Sequence, residues 1–424
     1  MRDRWLRAQS RARARSLARF LEPRELPPRV AQKAPRVVLL GTARIDPSDM
    51  APLEQKLRLF EAHAETTVIG TGRGLRRIGA TRLIGVPWSA TPLIGSPAFY
   101  VLGPVLATLW ASGRSSAAIV CQSPFEAAGC IVLRVTVPAH LRPRVVVEVH
   151  GDWRASARLY GSWRRRLLAP AADQVAGWAV RRADRVRTVS GWLEALVRDA
   201  GFRGGSDRFP AFSDFRAFLG PEPSSPPAQP RAAYIGALSG PKGLDVLFEA
   251  WRDVAAQVPD AQLSLVGEGP LERELRDLAR RLGIGGSVSF EGRLAAGGVR
   301  AALDRSSLLV LPSRSEGMPR VVLEALSRAR PVVASRIGGV PEMVQHGRTG
   351  LLLPPGDAHA LAEALAELLP DRQRLRRMGD EGRRFVAQRD PAAAYEAGVD
   401  RLAAWIKNDS RYDPARAALQ SKRG

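Results

Sequence analysis

From Val37 onward, short apolar runs alternate with stretches of helical spacing, and the alternation stops once, at residues 220–230, which read GPEPSSPPAQP. Parallel strands cannot be joined by a tight turn. They need a crossover, and the crossover helices bury their apolar stripes on the faces of the sheet. A Pro/Ser-rich break between two such halves is a linker. The sequence therefore predicts an α/β chain of two doubly wound parallel-sheet, Rossmann-like domains, residues 35–219 and 231–390, with the linker at 220–230. The 424 residues suit two cores of roughly 200 residues each better than one. The obvious place for a ligand is the cleft between the carboxyl ends of the two sheets.

In the first half the spacing predicts strands over 37–41, 117–122, 145–150 and 185–189, and helices over 52–64, 97–112, 125–137, 163–183 and 191–200. The clearest is 145–150 (VVVEVH), a β-branched run suited to a strand covered on both faces. In the second half strands are expected over 232–236, 262–267, 288–291, 308–311 and 331–334, and helices over 244–257, 271–282, 299–304, 321–329, 358–369 and 371–389. A further helix over 391–405 stands where it can cross back to the first domain, and 406–424 is a polar tail. The segment 83–110 is strongly apolar, but Pro87, Pro92, Pro97 and Pro104 interrupt it, so it reads as loop plus helix and not as a membrane span.

Cys121 and Cys130 are too few for a disulfide framework and read as buried thiols in a reducing compartment. The histidines and cysteines show no metal-ligand spacing. The net charge of +22 comes mostly from Arg. It reflects either a general bias towards Arg or an anionic partner, which charge alone does not choose between. The arm at 1–34 carries Arg2, Arg4, Arg7, Arg11, Arg13, Arg15 and Arg19. It reads either as a solvated tail or as a segment that meets an anionic membrane surface. No apolar h-region follows the first arginines, so the expected location is cytoplasmic, free or peripheral on the inner face of the membrane. Nucleic acid is not an expected partner: no helix-turn-helix, zinc finger or aromatic-studded sheet is visible.

The chemistry is concentrated after residue 311. Pro312-Ser313-Arg314-Ser315-Glu316-Gly317-Met318-Pro319 follows a predicted strand, and Pro319 suits the first position of the next helix. Glu316 then lies on the loop at the strand's carboxyl end and Glu324 lies within the helix. The amides of Gly317 and Met318, at the helix's positive end, form an anion site. Carboxylates accept hydrogen bonds from hydroxyls and free amides receive phosphate, a pairing that suits a nucleotide-sugar.

The spacing Glu316-x7-Glu324, followed by Ala329-Arg330-Pro331-Val332-Val333-Ala334-Ser335, Gly338-Gly339-Val340-Pro341-Glu342 and Gly350-Leu351-Leu352, resembles the donor-binding half of the retaining glycosyltransferase family 4, the group 1 glycosyltransferases. Tyr234-Ile235-Gly236, Lys242-Gly243, Val266-Gly267-Glu268-Gly269-Pro270 and Phe290-Glu291-Gly292 stand upstream in that family's order, so the likeness covers nearly all of 231–356. The resemblance implies a GT-B fold and transfer of a sugar from a nucleoside-diphosphate sugar to a carbohydrate or lipid-linked acceptor, in polysaccharide or glycolipid assembly. It implies that Glu316, with Gly317 and Met318, holds the donor sugar, beside Pro319. Glu324 then holds the ribose and Lys242 the diphosphate, while Gly267, Glu268, Gly269 and Arg293 frame the base. His150, in Val149-His150-Gly151-Asp152-Trp153, matches a His that the family commonly places after a buried strand, and is expected to act with Glu316 at the reacting sugar. Gln122-Ser123-Pro124-Phe125-Glu126 is expected on the acceptor side.

Two departures stand out. Where the family usually has Arg after the first strand of this domain, the chain has Ala237, and of the Gly-rich loop after the first strand only Gly41-Thr42 remains. No Asp-x-Asp occurs, so no metal or other cofactor is expected and Lys242 with the helix N-terminus would neutralise the leaving group. The alternatives are a nucleotide-sugar epimerase and a catalytically weak or dead scaffold of the same fold.

Overall fold

The computed structural model describes residues 34–407 apart from 45–50, 73, 87–94, 114–115, 156–162, 212–217, 219, 221, 224 and 390. The basic arm at 1–33, the tail from 408, Pro87 and Pro92 lie outside the described residues, as do parts of the linker.

The first half builds an eight-stranded sheet from β1 (Arg36–Arg44), β2 (Glu65–Thr71), β3 (Gly74–Ile78), β4 (Thr81–Val86), β5 (Ala117–Cys121), β6 (Arg144–Val149), β7 (Arg185–Thr188) and β8 (Gly205–Arg208). Its spatial order is β3-β4-β2-β1-β5-β6-β7-β8, with only β3 antiparallel to its neighbour. The second half builds a six-stranded parallel sheet from β9 (Arg231–Ile235), β10 (Gln262–Val266), β11 (Val288–Gly292), β12 (Leu308–Leu311), β13 (Val332–Ser335) and β14 (Gly350–Leu353), in the order β11-β10-β9-β12-β13-β14. The central strands read AAIVC, LLVL and VVAS and are buried throughout, as strands covered on both faces must be. In each sheet the first strand lies between strands that wind in opposite directions: β1 between β2 and β5, β9 between β10 and β12. Those two switch points open crevices at the strands' carboxyl ends.

One face of the first sheet, with Val38, Leu40, Ile119, Val145 and Val147, is covered by helices Gly95–Ala111, Pro124–Leu133 and Trp163–Arg182. The other, with Val37, Leu39, Val120 and Val146, is covered by helix Ala51–Glu61 and by the last helix, Pro391–Lys407. That helix follows the second domain in sequence yet packs in the first, through Tyr395, Val399, Leu402 and Ile406, the three-and-four spacing of a single helical face. Arg144 donates to the carbonyl of Trp405 at 2.6 Å with its guanidinium 4.5 Å from the Trp405 ring.

Several elements differ from the sequence expectation. The helix expected over 125–137 stops at Leu133 and tightens into a 3-10 turn at Arg134–Thr136. The β-branched Val135-Thr136-Val137 ahead of Pro138 disfavours continuation. The segment expected as loop plus helix from residue 83 begins inside β4. Cys121 and Cys130 are buried and unpaired as disulfide, 3.9 Å apart at sulfur, and burial pushes the Cys121 thiol well up. No helix among the described residues is long and apolar enough to cross a membrane.

Candidate active site

At the switch point of the second sheet, two loops meet. After β9 the chain passes through a 3-10 turn at Gly240–Lys242 and reverses at Gly243, whose φ of 63° is left-handed. A Cβ at Gly243 would also stand 2.2 Å from the carbonyl oxygen of Pro312, just after β12. Only glycine permits this closeness in this conformation. It brings Lys242 beside Glu316: Lys242 Nζ donates to Glu316 Oε1 at 2.6 Å, and Ser313 Oγ donates to the same oxygen at 2.7 Å. Arg314 braces the junction from outside through two bonds to Asp245, at 2.8 and 2.6 Å, and its backbone N–H donates to the Pro241 carbonyl. Burial would raise the Asp245 carboxyl, but Arg314 holds it below its usual range.

Next along the loop, Gly317 lies against the first domain. A Cβ there would stand 1.8 Å from the carbonyl oxygen of His150, at the end of β6. Its own carbonyl accepts from Gly339 N at 2.9 Å. The side chain of Met318 packs against the cores of both domains. Among the described residues, the N–H groups of Gly317 and Met318 make no hydrogen bond. Pro319 caps helix Arg320–Ser327 and does not occupy its first turn, one position earlier than expected. Glu324 is half-buried on that helix. Its carboxylate makes no hydrogen bond or ion pair among the described residues, and burial raises its carboxyl against the opposing charge of Arg320.

The expected base-framing residues have a different aspect. Gly267 and Gly269 press on the carbonyls of Gly236 and Leu238, where a Cβ would stand 1.9 and 2.2 Å away, and the Glu268 carbonyl accepts from Leu238 N at 3.0 Å. The turn thus braces the loop that leads to Lys242. The side chains of Glu268 and Arg293 are exposed and make no hydrogen bond or ion pair with Lys242 or Glu316. Ala237 is exposed, and its carbonyl accepts the Tyr234 hydroxyl at 2.8 Å.

His150 faces this assembly from the first domain. Its Nε2 lies 3.1 Å from Glu148 Oε2, and Glu148 Oε1 accepts from Arg187 Nη1 at 2.6 Å. Sequence reasoning missed Glu148 and Arg187. The signal was there: a carboxylate inside VVVEVH and a guanidinium inside the next strand, RVRT, each in a position that needs a partner. It quoted Glu342 within a motif but missed its contact: the carboxylate accepts from the N–H groups of Gly191 and Trp192 at 3.0 and 3.1 Å. That contact places a second-domain anion on the positive end of a first-domain helix. At the first sheet's own switch point Gln122 fills the crevice: a Cβ on Gly41 would stand 2.2 Å from its Oε1.

Residues 229–371 match the family described as Glycosyl transferases group 1. The chain is 28 % identical over 276 residues to an alpha-D-kanosaminyltransferase of Streptomyces kanamyceticus, covering 61 % of this chain and 69 % of that one. It is 36 % identical over 165 residues to a GDP-mannose-dependent phosphatidylinositol monomannoside mannosyltransferase of Mycobacterium tuberculosis, covering 37 % of this chain and less than half, 43 %, of that one. In three dimensions it resembles sucrose-phosphate synthase of Thermosynechococcus elongatus, with a TM-score of 0.70 at 21 % identity over 88 % of this chain and 98 % of that one. It also resembles Anabaena HepE, solved in complex with UDP-glucose, with a TM-score of 0.66 at 17 % identity over 87 % of this chain and all of that one. The chain therefore has the two facing Rossmann-like domains of the GT-B fold, and its second domain, residues 229–371, is similar to the group 1 glycosyltransferases.

Proposed function

We propose that this glycosyltransferase takes a sugar from a nucleoside-diphosphate sugar and adds it to a hydroxyl acceptor with retention of anomeric configuration, without a metal ion. The observation that carries this is the convergence of Lys242, Glu316 and two unbonded amides at the β9/β12 crevice, with the backbone of His150 against Gly317. In the free protein Lys242 and Glu316 satisfy each other. A donor exchanges that contact for two others: its diphosphate takes Lys242 and the amides of Gly317 and Met318, and its sugar hydroxyls take Glu316. Glu324, half-buried and without a hydrogen bond among the described residues, accepts from ribose hydroxyls in this reading. Lys242 and the amides stabilise the departing diphosphate, which supplies the role a metal ion has elsewhere. The acceptor attacks from the face the diphosphate leaves, and the departing phosphate takes its proton. Relatives differ in nucleotide: the mannosyltransferase is named for GDP-mannose, whereas HepE was solved with UDP-glucose.

A lipid-linked acceptor at an anionic membrane surface fits the first domain. Val101, Leu102, Leu109, Val132, Val135, Leu167, Leu168 and Val175 are exposed on or just beyond three neighbouring helices. Exposed Arg142, Arg181 and Arg182 lie near those helices' carboxyl ends. Apolar side chains beside cations suit a layer of anionic headgroups better than a second copy of a chain with net charge +22.

The test is a thermal-shift series with UDP-, GDP- and ADP-sugars, followed by transfer assays with the donor that stabilises. Glu316→Gln is expected to lower turnover at least a hundredfold. Wild-type turnover in that variant, or no shift with any donor, overturns the proposal. Flotation with anionic but not neutral vesicles tests the membrane surface separately.

A further inference from the structure

Strand β6 is valine-rich and buried, and a buried ion pair in such a place is seldom worth more to stability than an apolar pair of the same size. Yet Glu148 lies directly opposite Arg187 on β7, with side chains 4 % and 1 % exposed. The pair is held from several sides. Arg187 Nη2 donates to the Pro210 carbonyl at 2.7 Å, and its guanidinium stands 4.1 Å from the Phe209 ring and 5.5 Å from the Tyr395 ring. Phe209 and Tyr395 meet edge to face at 5.6 Å, so the returning C-terminal helix closes the pair off. Lys56, on helix Ala51–Glu61, is the other cation acting on Glu148. Burial alone would raise the Glu148 carboxyl, but Arg187, His150 and Lys56 hold it well below the usual range, so it stays anionic. One member of this group is exposed and stands on the strand end that meets the second domain. It is His150, 39 % exposed at its side chain, bonded through Nε2 to the second oxygen of Glu148.

We propose that Glu148, fixed by Arg187, is a positioning residue for His150: it accepts the ring's Nε2–H and leaves Nδ1 as the hydrogen-bond acceptor that the neutral ring offers to a substrate hydroxyl. Arg187 uses one nitrogen on Glu148 and another on the Pro210 carbonyl, which fixes the carboxylate's height along the strand. The second carboxylate oxygen is then fixed as well, and with it the plane and tautomer of the imidazole. This rests on the proposed transfer reaction and on the expectation that His150 acts with Glu316 at the reacting sugar.

The experiment uses the full-length protein. In long-range 1H–15N spectra the wild type's five histidines are resolved, and His150 is assigned by the signal that His150→Gln removes. The expected result is a protonated Nε2 and a bare Nδ1. A protonated Nδ1 with a bare Nε2 overturns the proposal without any change to the interior. Kinetics give the second arm. Glu148→Gln should lower kcat about tenfold to a hundredfold while the donor KM stays within about twofold. Glu148→Gln with Arg187→Met removes both charges and should recover thermal stability but not kcat. Recovery of both would make the pair merely structural and sink the idea. In a His150→Ala background, Glu148→Gln should cost nothing more, and a further loss there contradicts action through His150. If His150→Ala alone keeps full turnover, the role of His150 falls, while the ring spectra still decide whether Glu148 sets its tautomer.

Discussion

The two sheets have the same winding, and their switch points are chemically unlike. At β1/β5 the crevice holds Gly41 under the uncharged side chain of Gln122. At β9/β12 it holds a lysine, a carboxylate, a serine and unbonded amides. Topology therefore supplies two equivalent hollows, and side chains decide which one attracts an anion. The first domain's contribution comes one strand further along, from His150 on the end of β6. In the proposed function the second domain holds the phosphorylated donor and the first meets it.

The sharpest way to break this comparison is at the point where the two domains touch. Gly317→Ala puts a methyl group where the His150 carbonyl already is, so the halves must separate. Turnover should fall about a hundredfold, since a displacement on the order of 1 Å is costly at a reacting centre, and small-angle scattering should show a larger radius. Next in size is Lys242→Ala, which should weaken donor binding about tenfold to a hundredfold in calorimetry, as loss of a charge-assisted contact does. The counterpart change Gln122→Ala should leave donor affinity within about twofold. Equal losses in the two variants would erase the asymmetry. Ala237→Arg adds a cation at an exposed position beside the same crevice and should tighten donor binding a few-fold. No gain would mean that Lys242 and the amides already saturate the diphosphate.

The smallest effect concerns stability. Burial raises the Glu324 carboxyl above its ordinary 4.5, with Arg320 opposing. The unfolded chain then loses its proton first as pH rises, so ionised Glu324 penalises the fold above the raised value and not below about 4.5. Glu324→Gln should therefore raise the Tm at neutral pH, lose that advantage in acid, and bind donor less well. An unchanged Tm at neutral pH would remove the argument that Glu324 is kept half-buried and unbonded for a ligand.

How far the sequence alone carried depended on where each strand sits. Central strands such as LLVL and VVVEV declare themselves, because burial on both faces demands an unbroken apolar run. The strands β2, β3 and β4 were not legible. Their sequences ETTVIGT, GLRRI and TRLIGV mix Thr, Gly and Arg, and β3 is an edge strand with both arginines at or near the surface. β8, GSDR, has no large apolar residue at all. In the site, the loop and helix after a readable strand gave Glu316 and Glu324, and the family resemblance added Lys242. Partnerships between distant segments were hidden. The Lys242–Glu316 contact spans 74 positions, Glu148–Arg187 spans 39, and Glu342 reaches helix Gly191–Asp199 across the domain boundary. The same holds for Met318, whose amide suited an anion site while its side chain turned out to join the two cores.

The path of helix Pro391–Lys407 has a practical meaning for anyone who would cut this molecule apart. Because the polypeptide passes between the halves twice, severing it at residues 220–230 does not release two finished pieces. The upstream fragment would expose Val37, Leu39 and Val146 and shed the cover that Tyr395, Val399, Leu402 and Ile406 provide. The upstream half made independently needs residues 391–407 grafted back or supplied as a peptide. A circularly permuted gene that brings that segment next to the first strand is the arrangement under which each half could be prepared alone.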